Sequence, residues 1–169
     1  MIVDNPKLKD AHKYPDEIFI LSGVKGEGVF QGAKAKSIWD LKFFEVENIK
    51  KDFQNLDDDK VIKLMDLFYG KSDLSKVRGL QFYRAFNYIK EQLKDVYDKE
   101  KMLAGDSQQK LIDAGIKELD IFGSLNILDD LGKDFGKSPE EVEQWSYGLV
   151  FSLSLKRKKE SDIRKRLDK

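Results

Sequence analysis

Few side chains in this sequence combine a reactive type with a spacing that could do chemistry. Gly23, Gly26 and Gly28 come first, because backbone amides freed by glycines can cradle a phosphate at a helix start. Their spacing fits neither Gly-x-Gly-x-x-Gly nor a loop ending in Gly-Lys-Ser/Thr, and the preceding run Ile18 to Leu21 is too short for the strand of a Rossmann unit. Asp57, Asp58 and Asp59 offer hard oxygen donors, yet a calcium loop alternates its acids and needs a glycine and a distal glutamate that do not follow here. Three acids in a row suit the first turn of a helix, where the macrodipole favours negative charge. Asp129 and Asp130 are adjacent and so point about 100° apart on a helix, poor geometry for a shared metal or an acid–base pair. His12 is the only histidine, and there is no cysteine. These residues predict no catalytic group, no metal ligand and no cofactor, and hence no enzymatic activity.

The elements behind these residues read as helices. Phe82, Phe86, Ile89, Leu93, Val96 and Leu103 recur at steps of four and three, with Glu100 in the one slot of that face that is not apolar. Lys90, Glu91, Lys94, Asp95, Asp98, Lys99 and Lys101 fill the other side, so Gly79 to Leu103 should be a long amphipathic helix around which the rest is organised. Ser37 looks like the cap of an earlier helix reaching about Gln54 and burying Trp39, Phe43, Val46 and Phe53. A shorter helix follows, from a cap at Asp57 or Asp58 to a stop at Gly70. Gly105 with Asp106 or Ser107 should separate the long helix from a further unit, which carries Leu111, Ile116, Leu119, Leu125, Leu128 and Leu131 and a break near Gly123 and Ser124. Ser138, Pro139 and Glu141 stand in the order of N-cap, first helical proline and N3 acid, and should open a last helix carried by Val142, Trp145, Leu149, Val150 and Leu153.

The expected fold is all-α, an irregular five- or six-helix bundle in one domain of residues 37–155. Residues 1–36, which hold Pro6 and Pro15 and Gly23, Gly26, Gly28 and Gly32, read as an extended N-terminal arm in preference to a short hairpin. Residues 156–169 form a basic helix end with eight basic and three acidic residues. Lysine plus arginine equals aspartate plus glutamate at 31 each over the whole chain, so any electrostatic role must be local. Lys156, Arg157, Lys158, Lys159, Arg164, Lys165 and Arg166 are the candidates for contact with phosphates or with an acidic partner, or serve as cations that suit a helix C-terminus. No stretch approaches about 18 uncharged apolar residues, which predicts a soluble chain without a membrane partner.

The segment Phe122 to Leu155, and within it Gly136-Lys137-Ser138-Pro139-Glu140-Glu141-Val142-Glu143-Gln144-Trp145-Ser146-Tyr147, resembles small helical morphogenesis proteins of tailed bacteriophages, notably the C-terminal portions of tail assembly chaperones. The resemblance implies a compact helical unit that ends in charged residues, and protein partners: phage structural subunits or the protein itself. It also implies residence in the host cytoplasm during assembly, or in the virion. The small N-terminal domain usual in such chaperones has no visible counterpart in residues 1–36, and an arm reaching a neighbouring subunit is what a virion adaptor would use. Phe19 and Phe30 on that arm, with Trp145, Tyr147 and Phe151, are the candidate interface residues. The other expectation is a small nucleic-acid-binding protein that uses the basic helix end.

Overall fold

The computed structural model describes residues 23–70, 74, 77–103 and 123–167. The fold is all-α with one small hairpin. Among the described residues, strands β1 (Val29–Phe30) and β2 (Ala33–Lys34) precede six α-helices: α1 (Phe43–Asp52), α2 (Asp58–Tyr69), α3 (Gly79–Glu100), α4 (Leu125–Phe135), α5 (Pro139–Val142) and α6 (Tyr147–Leu167). They divide into two compact units. One comprises the described residues up to Ile38 with Asn48–Asp95, the other Trp39–Glu47 with the described residues from Val96 onward.

In the first unit α3 supplies the apolar face that its period predicts. Phe82, Ala85, Ile89 and Leu93 are buried, while Lys90, Glu91, Lys94 and Asp95 are exposed. Phe86 stacks between Phe82 and Phe53, with ring centroids 5.6 and 5.9 Å apart, which extends the apolar contact beyond what burial of separate rings would give. Helix α2 opens as expected: the Asp57 carboxylate accepts the Lys60 amide at 2.8 Å, and Gly70, with φ of 79°, closes it. Leu64, Met65, Phe68 and Tyr69 form its buried side.

Residues 24–36 are no free arm. The two-residue loop Gln31-Gly32 has φ of 47° and 81°, the positive pair of a type I′ turn, and joins β1 to β2 in antiparallel register with Phe30 opposite Ala33. Ahead of the hairpin, Val24 to Gly28 lies against α3. The Asn87 side chain donates to Val24 O at 2.7 Å, the Gly26 amide donates to Glu91 Oε1 at 3.2 Å, and the Glu27 amide donates to Arg84 O at 2.9 Å. The Tyr69 hydroxyl donates to Ala85 O at 3.0 Å and lies 3.3 Å from Glu27 O, and burial pushes it well above its usual pKa, so it stays a donor. A Cβ on Gly26 would meet Tyr88 N at 2.5 Å, and one on Gly28 would meet the Tyr88 ring at 3.0 Å. These glycines are small because a strap must lie on a helix, which accounts for them without any phosphate.

The starts of α1 and α6 depart from expectation. Ser37 begins no helix: Ile38–Asp40 is a single 3-10 turn, and α1 starts at Phe43. Glu45 reaches back to accept the Lys42 amide at 2.8 Å, the acid half of a capping box. Downstream, Gly123 turns the chain with φ of 50° before α4, while the helical stretch expected ahead of that turn lies outside the described residues. Gly136 ends α4 in the left-handed region. The Ser138 capping box forms in full, with Glu141 N to Ser138 Oγ at 3.3 Å and Ser138 N to Glu141 Oε2 at 2.9 Å. It opens only the four-residue α5, however, and the last helix is a separate element that begins at Tyr147. Gly105, Asp106, Ser107 and Leu111 to Phe122 lie outside the described residues, as do His12 and Ile18 to Leu21.

Two outcomes follow. Gly26→Ala should lower stability by about 1–3 kcal/mol in urea denaturation, because its methyl group has no room against Tyr88. Acid should fray the caps first. Glu141 is held below its ordinary carboxylate value by the Lys137 ammonium and then the Ser138 amide, Glu140 by the Ser138 hydroxyl, and Asp57 by the Lys60 amide. A carboxyl whose folded pKa is depressed stabilises fully above its unfolded value and loses that contribution as pH falls through the folded one. Amide chemical shifts at the starts of α2 and α5 should therefore stay constant above about pH 5 and move below about pH 4, ahead of global unfolding.

Candidate interaction surface

The second unit is built on a reciprocal contact between two helix starts. The first amides of a helix have no partner inside it. In α1 the Phe43 amide donates to Trp145 O at 2.8 Å and the Phe44 amide to Glu143 O at 3.2 Å, both carbonyls beyond the end of α5. In return the Tyr147 amide, first in α6, donates to Leu41 O at 2.8 Å. Lys42 and Ser146 thus pair as an isolated antiparallel bridge, and Lys42 Nζ adds a bond to Gln144 Oε1 at 2.9 Å. Ser146 also caps α6, its hydroxyl accepting the Leu149 amide at 3.3 Å.

That pairing sets an aromatic cluster. Tyr147 stacks on Phe43 at 5.5 Å with rings 13° from parallel. Trp39 meets Tyr147 at 5.6 Å and Phe151 edge-on at 5.3 Å. Lys99 Nζ lies 4.6 Å from the Trp39 ring centroid, a cation–π contact. The Tyr147 hydroxyl donates to the Glu100 carboxylate, so the acid that interrupts the apolar face of α3 is there to receive a buried tyrosine.

The sequence-predicted interface residues are dispersed. Phe30 is 2% exposed in the first unit, 5.5 Å from the Tyr69 ring, and Tyr147 is 3% exposed in the cluster; both are core residues, not anchors. Phe151 is half-buried against Trp39. Phe19 lies outside the described residues. Trp145 is half-buried and meets the ring of Phe135 edge-on at 5.4 Å, and Phe135 is 51% exposed. This pair is the strongest candidate contact, and sequence reasoning missed its more exposed half. Phe135 continues the α4 stripe of Leu128 and Leu131, but it stands in the last turn beside Gly136, where the covering layer stops.

Ten described large apolar side chains stand exposed. Val29, Leu56 and Ile62 are in the first unit, whereas Tyr97, Met102, Leu125, Phe135, Leu149, Ile163 and Leu167 are all in the second. The basic residues divide similarly by environment. Arg157 turns inward on α4, with Nε 2.9 Å from Asp134 Oδ2 and a guanidinium nitrogen 2.7 Å from Asp130 O, and Lys158 Nζ donates to Met102 O at 2.7 Å. Lys156 lies 3.7 Å from Glu160. Lys159, Arg164, Lys165 and Arg166 are exposed, and no partner of theirs is found among the described residues.

Three of the acidic candidates are accounted for by ordinary contacts, and Asp58 and Asp59 lie in the first turn of α2. Asp57 is the α2 cap; Asp129 pairs with Lys133, and Asp130 with Arg157. No group of three or more His, Cys, Asp or Glu is placed to hold a metal among the described residues, and no described helix is long and apolar enough to cross a membrane. In the first unit an open groove of about 380 Å³ is lined by Val24, Asn87, Lys90, Glu91 and Lys94. Asn87 and Glu91 there are engaged in holding the strap, so the groove presents little beyond two lysine stems. Comparison of the chain with known protein families, with curated proteins and with solved structures gives no match.

Removing one hydroxyl tests the cluster. Tyr147→Phe leaves the Glu100 carboxylate without its buried donor and should cost about 1–3 kcal/mol in chemical denaturation, while Phe151→Leu, at the edge of the cluster, should cost less.

Proposed function

We propose that this protein acts by binding other proteins and performs no catalysis. The setting we propose is phage particle morphogenesis, as a tail assembly chaperone or a small virion adaptor. The observation that carries the binding reading is the Phe135–Trp145 pair: a half-exposed aromatic edge, in the unit that holds most of the exposed large apolar side chains. Aromatic side chains of this kind contribute most of the affinity at protein interfaces when a partner seals them from water. The phage setting rests on the Gly136 to Tyr147 segment and its resemblance. In that segment the capping box and Trp145 form one short structural unit that turns the tryptophan toward Phe135.

Nucleic-acid binding is the second reading, supported by the exposed cations Lys159, Arg164, Lys165 and Arg166 at the end of α6. Inward use of Arg157 and Lys158 leaves that charge on a short stretch, where phosphate contacts would give weak and strongly salt-dependent affinity.

Light scattering of the full chain, alone and mixed with tail structural subunits, separates the two. A defined oligomer or complex should form, persist as salt rises, and weaken at least about tenfold in Phe135→Asp, whose melting temperature should stay near that of the parent because the residue is half exposed. A monomer that ignores every subunit and instead binds a DNA duplex with steep salt dependence would overturn the binding reading.

A further inference from the structure

Among the described residues, helix α6 is packed on one side only. Tyr147 and Val150 are buried, Phe151 and Ser154 are half-buried, and Arg157 and Lys158 are held inward by Asp130, Asp134 and Met102. These contacts fix the rotation of the helix. The opposite side then carries Leu149, Ser152, Lys156, Lys159, Ile163 and Arg166 at alternating steps of three and four, with Leu167 beside Ile163, and all of them are exposed. Leu149, Ile163 and Leu167 are 46%, 54% and 80% accessible. The stripe thus has an apolar patch at each end, about 21 Å apart by the helical rise, and a basic centre.

We infer that this face of α6 docks one acidic amphipathic helix of a protein partner, with apolar residues at its ends and Asp or Glu facing Lys156 and Lys159. This deepens the protein-binding reading above and rests on it. A three–four stripe is one side chain wide, the footprint of a single helix laid alongside. The basic centre selects the sign of that helix. It disfavours the same face of a second copy, which would set lysine against lysine, and an all-apolar helix, which would leave both ammonium groups desolvated. Lys159 has no partner among the described residues, and Lys156 has only the solvent-exposed Glu160 along its own helix, so both can turn to an incoming carboxylate at little cost. Phosphates would leave Leu149, Ile163 and Leu167 unused. A membrane surface would take up the lysine-interrupted stripe poorly, since its apolar residues do not join into one continuous face.

The probe is a synthetic alanine-rich helical peptide that carries leucine at both ends and two glutamates between them at this spacing, titrated by fluorescence anisotropy into the full chain. Saturable binding is expected. It should weaken roughly tenfold in the double variant Lys156→Glu, Lys159→Glu and recover by a similar factor when the two peptide glutamates are exchanged for lysine. Ile163→Asp should also weaken it roughly tenfold, and Phe135→Asp should leave it unchanged. Circular dichroism of each variant should match that of the parent, since the substituted residues are exposed. No saturation up to about 1 mM peptide, indifference to the charge reversal, or tighter binding of a DNA duplex or of anionic vesicles than of the peptide would overturn the inference. Loss of peptide binding with the Phe135-dependent complex intact would remove this docking face alone and leave the broader reading standing.

Discussion

The second unit depends on two helix starts that complete each other. Phe43 and Phe44 in α1 and Tyr147 in α6 all present amides with no intrahelical partner, and each is answered by a carbonyl from the other strand of the bridge at Lys42 and Ser146. Left unanswered in a buried setting, such a donor costs about 1–3 kcal/mol, so either end alone would be under strain to fray. Together they fix where α1 and α6 begin. Their placement stacks Tyr147 on Phe43 and turns its hydroxyl to Glu100. Trp145 is left just outside the bridge, on the side of Phe135.

This dependence also explains which features could be read in the sequence. Local signals held where local chemistry decides. The apolar period of α3, the Asp57 cap, the glycine stops at 70 and 136 and the Ser138 capping box all appear as their residue types require. The misplaced boundaries are those set by distant partners. No glycine or proline marks residues 143–146, so nothing nearby announces that α5 ends after one turn; the carbonyls of Glu143 and Trp145, just past its end, are taken by the Phe44 and Phe43 amides. Likewise Ser37 is a good cap by type, but only a 3-10 turn follows it, Lys42 is held in the bridge, and the helix waits until Phe43. Ser146, a cap-type residue three before Leu149, was the available clue to the start of α6.

The candidate surface was less legible than the fold for a related reason. A period identifies an apolar face but not where its cover ends. Trp145 was visible as a candidate contact, yet Tyr147, two residues on, is core and Phe135, on the preceding helix α4, is its exposed neighbour. The basic run from Lys156 reads as one group of cations, whereas packing splits it into cations that hold α6 in place and cations that face solvent. Glycines 26 and 28 have a spacing that suits no phosphate cradle, and Glu100 takes the one slot of its stripe that is not apolar. Each proves to be a fitted part: two bare backbones beneath Tyr88, and one acceptor for a tyrosine.

Because Lys42 and Gln144, side by side at the bridge, are 102 residues apart in sequence, the second unit has a constraint in time as well as in space. Closing a loop of that length is slow compared with forming a helical turn, and nothing repays its entropy until both strands are present. During synthesis the segment around Leu41 must leave the ribosome and wait, with Phe43 and Phe44 unanswered, until Tyr147 has emerged. A nascent chain interrupted anywhere in between has no way to finish this unit, so the time spent translating that stretch is the interval in which its aromatic residues are most open to aggregation.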